Sequence, residues 1–208
     1  RLFQNVEKLT SLDVSRWDVS NVTDLTQTFQ GMSNITTLNV DNWNTQNVQR
    51  LTWTFLGMSK LQYLNVSRWN TQNVESMVAL FENDAALETL DVSQWNTRNV
   101  TTMRNMFSGT TLRNINVSRW NTSQVTDMAG MFASTKVERL DVSNWDTSRV
   151  ENMDSMFYNA SITDLNVANW DVSHVTNMNR IFMKSHLRNL NSSRWNTRLV
   201  TNMAEMFA

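Results

Sequence analysis

Residues 140–157 read Leu-Asp-Val-Ser-Asn-Trp-Asp-Thr-Ser-Arg-Val-Glu-Asn-Met-Asp-Ser-Met-Phe, and the rest of the chain is this stretch repeated with substitutions. Aligned on its tryptophan, Trp17, Trp43, Trp69, Trp95, Trp120, Trp145, Trp170 and Trp195 stand 26 residues apart three times and then 25 apart four times. A fixed period of this length is the mark of a solenoid, in which each unit buries its apolar face against its neighbours. With the tryptophan as position 0, positions −8, −5, −3, 0, +5, +8, +11 and +12 are apolar in every unit except at Thr28, Thr54 and Ser192. These positions are the expected core.

The two halves of a unit differ in period. Around Leu140, Asp141, Val142 and Ser143 apolar and polar residues alternate, which predicts a short half-buried strand. Val150, Met153, Met156 and Phe157 recur at i, i+3, i+6 and i+7, which predicts a short helix, the strict three-residue spacing admitting a 3₁₀ turn as well. The predicted fold is therefore an α/β repeat solenoid, a leucine-rich-repeat-like curved array with parallel strands on the concave side and helices on the convex side. Strands about 4.8 Å apart beside helices roughly 8 to 10 Å apart should bend such an array into an arc. Its concave wall would show positions −6, −4 and −2.

One-residue length changes fall between the phenylalanine and the next unit's first apolar residue, which marks that segment as an outer turn. Gly31, Gly57 and Gly109 lie there, suited to helix C-termini that need positive φ. Position +1 (Asp18, Asn44, Asn70, Asn96, Asn121, Asp146, Asp171, Asn196) and position −4 are always Asp or Asn. The two residues share an acceptor oxygen but not the amide donor, so +1 is read as an Asx turn or cap. Residues 1–208 are read as a single solenoid domain of eight repeats of 25–26 residues, with 1–8 the tail of a preceding repeat. Neither end carries a polar capping unit, so both ends are expected to be cut from a longer array.

Composition excludes some classes of function. Net charge is −1, from 18 basic and 19 acidic residues with no long run of either sign, so nucleic acid is not an expected partner. There is no cysteine, hence no disulfide framework and no thiolate metal site. No apolar run approaches the roughly 18 residues of a membrane span, so direct membrane insertion is not expected in this segment. With no proline and only four glycines, the turns must rely on Asn, Asp, Ser and Thr.

An enzyme needs a converging constellation, and none is legible. His174 and His186 are isolated at positions where other units carry Asn, Gln or Arg. The serines at −2 recur too often to be nucleophiles. Calcium is disfavoured because five of the eight units place neutral Asn at each ladder position. No catalytic residue, metal or cofactor is expected. Tryptophan, methionine and phenylalanine ladders are read as core packing, and the threonines at +2, twice replaced by valine (Val19, Val172), as a site for β-branched shape.

Departures from the period are the candidate binding residues. Trp53 stands at +10, where other units carry Gln27, Asn105, Ser155 or Arg180, and should be exposed on the helix. Tyr63 and Arg139 stand at −6, on the predicted concave wall, and Arg16, Arg68, Arg119 and Arg194 at −1 would add charge at the strand edge.

The pattern Leu-x-x-Leu-Asp-Val-Ser-x-Trp-Asp-Thr-Ser-x-Val-x-x-Met-x-x-Met-Phe, carried best by residues 137–157 and 187–207, resembles the BspA-like leucine-rich repeats of bacterial surface proteins. In particular it resembles the domain of unknown function common in mycoplasma lipoproteins and Lactobacillus surface proteins. Leu25, Thr28, Leu51 and Thr54 depart from it by standing at its methionine positions. The resemblance implies an extracellular protein anchored to the cell surface through other segments. It also implies adhesion to a host extracellular-matrix protein, a mucin-type protein or glycan, or another bacterial surface protein. The alternative is a structural spacer or a stalk that self-associates through its uncapped ends.

Overall fold

The structure, a computed structural model, describes residues 2–208. Each unit is one coil of backbone, and its corners are made by short polar side chains. At position +1 the Oδ1 of Asp or Asn accepts the backbone N–H two residues on at 2.9–3.3 Å in all eight units. At −4 the same turn recurs in all eight at 2.9–3.2 Å. A third set, at +7, turns the chain at Asp24, Asp127, Asn152, Asn177 and Asn202. Only the acceptor oxygen is used, which is why Asp and Asn interchange. Asn121→Asp should therefore leave the denaturation midpoint nearly unmoved. Asn121→Ala, which strands the Ser123 N–H, should lower stability by about 1 kcal/mol.

Successive coils are joined by backbone hydrogen bonds on two sides. On one side lie β1 (Thr37–Leu38) and β2 (Tyr63–Leu64), paired in parallel with Thr37 opposite Tyr63. Further along, β3 (Arg139–Leu140) and β4 (Asp164–Leu165) pair in parallel with Arg139 opposite Asp164. On the other side, single parallel bridges at +7 run unbroken from Asp24 through Arg50, Ser76, Thr102, Asp127, Asn152 and Asn177 to Asn202.

The predicted helices are not there, and the α/β leucine-rich-repeat-like arrangement with a convex helical layer is overturned: among the described residues there is no helix and only these four two-residue strands. Residues +8 to +14 instead form tight turns, as in Met106 N–H to the Met103 carbonyl at 3.1 Å. Their alternate N–H groups leave the unit: Met103, Asn105, Phe107 and Gly109 donate to the carbonyls of Asp127, Ala129, Met131 and Ala133 in the next coil at 2.8–3.0 Å. Residues at +10 and +14 are left-handed, for example Asn105 at φ 53° and Gly109 at φ 70°. A right-handed helix cannot run through such residues. Two consecutive tight turns bring +8, +11 and +12 to the same side, so the spacing of a helical stripe is reproduced without a helix. The predicted arc also loses its basis, because both sides of the coil now advance by backbone hydrogen bonding.

Gly31, Gly57 and Gly109 do have the expected positive φ, at a turn and not at a helix end. Gly130 is the one glycine at +10; a Cβ there would lie 2.0 Å from Asn105 Oδ1, whereas at Gly57 the nearest atom, Gly31 Cα, is 4.0 Å away. Gly130→Ala should thus destabilise by roughly 2 kcal/mol and Gly57→Ala by about half that, the backbone strain alone, as read from urea midpoints.

The core is a stack of rings. Phenylalanines at +12 follow one another from Phe3 to Phe207 with centroids 5.5–6.2 Å apart. Neighbouring indoles such as Trp17/Trp43, Trp43/Trp69, Trp95/Trp120 and Trp145/Trp170 are nearly parallel at 6.1–6.4 Å. From Trp43 to Trp170, each indole N–H donates to the −3 valine carbonyl of the preceding unit at 3.0–3.2 Å. Buried side chains make one cluster from Val14 to Phe182. The +2 threonines do more than supply shape: Thr45, Thr71, Thr97, Thr122 and Thr147 each donate Oγ1–H to the next unit's +1 carbonyl at 2.9–3.2 Å. Nor is the segment after the phenylalanine wholly an outer turn, since its third residue, Met32, Met58, Asp84, Thr110, Thr135 or Ala160, is buried.

Candidate binding surface

With the backbone polar groups spent on corners and ladders, what varies from unit to unit is the exposed side chains. The −6 side chains, from Ser11 to Asn189, are exposed throughout, as expected of a displayed wall. Tyr63 is 57 % exposed and Trp53 38 %. Arg16, Arg68, Arg119, Arg139 and Arg194 are all exposed, and none is in an ion pair among the described residues; the three pairs use Arg50, Arg104 and Arg180.

These candidates do not form one site. Tyr63 lines a groove of about 520 Å³ with Asn65, Thr89, Asp91 and Asn114, over a floor of Leu64 and Leu90. The groove lies where strand pairing stops after β2, before it resumes at β3. Arg139 lines a second groove of about 450 Å³ on the same kind of wall, with Asp141, Asp164 and Asn166. The −1 arginines line neither. Trp53 is not on a helix: it is a left-handed residue at φ 56° on the ladder of turns, and two of its counterparts, Gln27 and Ala79, are buried.

Asn65, Asp91 and Asn114 were missed as site residues, although the period alone places −4 and −6 on one wall. The geometry of the first two is set by the corners. Asn65 Oδ1 accepts both N–H and Oγ–H of Ser67 at 3.1 and 2.8 Å, and Asp91 Oδ1 accepts the Ser93 N–H at 3.0 Å. The Ser93 N–H, then its hydroxyl, holds the Asp91 carboxyl below the usual carboxylate range, so it is ionised at neutral pH. His174 and His186 are exposed and lie outside both grooves. Among the described residues, no three His, Asp or Glu side chains cluster at metal-binding range. Also among them, no helix is long and apolar enough to cross a membrane.

Fold and surface together define a repeat protein: stacked coils with Asx corners, an aromatic spine, and an exposed polar wall. A family model described as Mycoplasma protein of unknown function, DUF285, matches residues 1–89, 49–162, 83–184 and 134–208, and the chain belongs to that family. No curated protein and no solved structure matches it.

Proposed function

We propose that this chain is a recognition module displayed outside a bacterial cell, binding a host or neighbouring-cell protein or glycan through its −6 and −4 wall. The observation that carries the reading is the separation of roles along each coil: the apolar core positions and the +1 and −4 corner positions are nearly invariant in type, while the exposed −6 column changes from Ser11 and Thr37 through Tyr63 to Arg139 and Asp164. A wall whose backbone is fixed and whose side chains vary suits a contact spread over several units. The resemblance to BspA-like surface repeats, carried by the Leu-x-x-Leu-Asp-Val-Ser-x-Trp motif, supports a surface-anchored, extracellular setting.

Residues 121–170 span two units and can be excised without breaking the period. Retention of the shortened chain on immobilised extracellular-matrix proteins, mucins and bacterial surfaces should fall gradually relative to the full chain. Complete loss with the fold intact would oppose a distributed contact.

A second reading is a spacer or stalk that stacks on itself. Light scattering over a concentration series separates the two: reversible head-to-tail growth without ligand favours the stalk.

A further inference from the structure

The groove around Tyr63 is small and chemically mixed. Its volume of about 520 Å³ is that of a small-molecule site, and its apolar surface is one aromatic ring above leucines that are 4 % and 8 % exposed. A protein partner, which needs roughly 800 Å² of covered surface on each side, finds no anchor pocket here. An anionic ligand would meet the ionised Asp91 carboxylate and no cation, since no Lys or Arg lines the groove.

What the groove does present is an exposed ring beside polar atoms held still by the fold. Asn65 and Asp91 occupy the same −4 position in successive coils and line the same groove. The Oδ1 of each is held in its own corner turn, which fixes the side chain, while Asn65 Nδ2 and Asp91 Oδ2 take no part in that turn. One is a donor and the other an acceptor. The Asn114 side chain, with no hydrogen bond among the described residues, adds a second amide at the far end. A flat apolar platform flanked by a rigid donor, a rigid acceptor and an adaptable amide is complementary to a neutral pyranose. The sugar's C–H face would lie on the ring and its hydroxyls, which both donate and accept, would meet Asn65 and Asp91. Because the corner turns already restrain the polar groups, little conformational entropy is lost on binding.

We infer that Tyr63, Asn65, Asp91 and Asn114 form a subsite for one neutral sugar ring. This rests on the recognition reading and names the class of ligand for one part of the wall. The equivalent groove at Arg139 and Asp164 has charged residues and no aromatic, so the subsite belongs to the third, fourth and fifth coils alone.

The test is an NMR titration of the full ¹⁵N-labelled chain with methyl β-D-glucopyranoside, methyl β-D-galactopyranoside and N,N′-diacetylchitobiose, with choline chloride as a cationic comparison. At least one sugar should give saturable shifts of the Asn65 and Asn114 side-chain amides, with an affinity of about 1 mM. Tyr63→Ala should weaken it about tenfold, and Tyr63→Phe should retain it. The fold tolerates both changes, since other units carry Ser, Thr or Asn at this exposed position. The inference is overturned by a sugar affinity unchanged in Tyr63→Ala, by saturation with choline alone, or by no response to any of the three sugars. If the sugars fail while the full chain is still retained on mucin or matrix surfaces, this subsite falls and the recognition reading stands.

Discussion

Phe107→Ala should lower the unfolding free energy by about 3–5 kcal/mol, seen as a drop in the denaturation midpoint. Phe107 is fully buried between Phe81 and Phe132, at ring centroid distances of 5.8 and 5.5 Å, with Trp120 at 6.2 Å. No second layer can close over the gap, because every ring here is held by backbone bonds from its own coil to the next. In a solenoid the stability is a sum of unit and nearest-neighbour contributions, so loss of one central ring weakens two interfaces at once. The same change at Phe207, 66 % exposed on a terminal coil, should stay under about 1 kcal/mol. Equal losses at the two positions would mean that the phenylalanines are not a continuous spine.

Asp84→Thr should have the opposite sign, raising stability at neutral pH by about 1–3 kcal/mol. Asp84 is fully buried in a column that carries methionine at Met32 and Met58 and threonine at Thr110 and Thr135. Its Oδ1 accepts the Met58 N–H at 2.9 Å, while Oδ2 meets no donor among the described residues. A threonine would donate to the Phe81 carbonyl, as Thr110 and Thr135 do to Phe107 and Phe132 at 2.9 Å. Burial pushes the Asp84 carboxyl well above its ordinary value of 3.8, the Met58 N–H acting weakly against it. Below that ordinary value both folded and unfolded chains hold the proton, and the acid does least harm. As pH rises through it, the unfolded chain ionises first and stability falls until the folded carboxyl also titrates. The advantage of Asp84→Thr should therefore grow from acid to neutral pH in paired urea titrations. Asp13, Asp18, Asp141, Asp146 and Asp171 act the other way. The hydroxyl, then the N–H, of the serine two residues on holds them low, so their contribution is lost as pH falls. They are common to both proteins and cancel in the difference. A constant or absent gap between the two proteins would contradict the buried, uncompensated carboxylate.

Much of this architecture was legible in the residues. Val142, Trp145, Val150, Met153, Met156 and Phe157 are buried, as the period required. The Asp/Asn exchange at +1 gave the Asx corner, because only a group used purely as an acceptor tolerates that exchange. The helix was misread because the decisive variable, the sign of φ at +10, has no residue signature here. Gln27, Trp53, Ala79, Asn105, Ser155 and Arg180 all take the left-handed conformation, and only Gly130 announces it. The third corner was hidden because Arg50, Ser76 and Thr102 occupy +7 in the middle units. Of the surface, Tyr63 was legible as a break in a polar column. The arginines at −1 are exposed as their place in the period requires, but line neither groove.

The central claim, that each coil's turns hydrogen bond forward to the next coil and not back along a helix, is open to a direct measurement. Scalar couplings across hydrogen bonds, recorded on ¹³C,¹⁵N-labelled protein, identify the acceptor of a given N–H. Phe107 should couple to the carbonyl carbon of Met131 in the following coil, 3.0 Å from N to O. Coupling of Phe107 to the carbonyl of Met103, four residues earlier, would restore the helix and contradict the fold described.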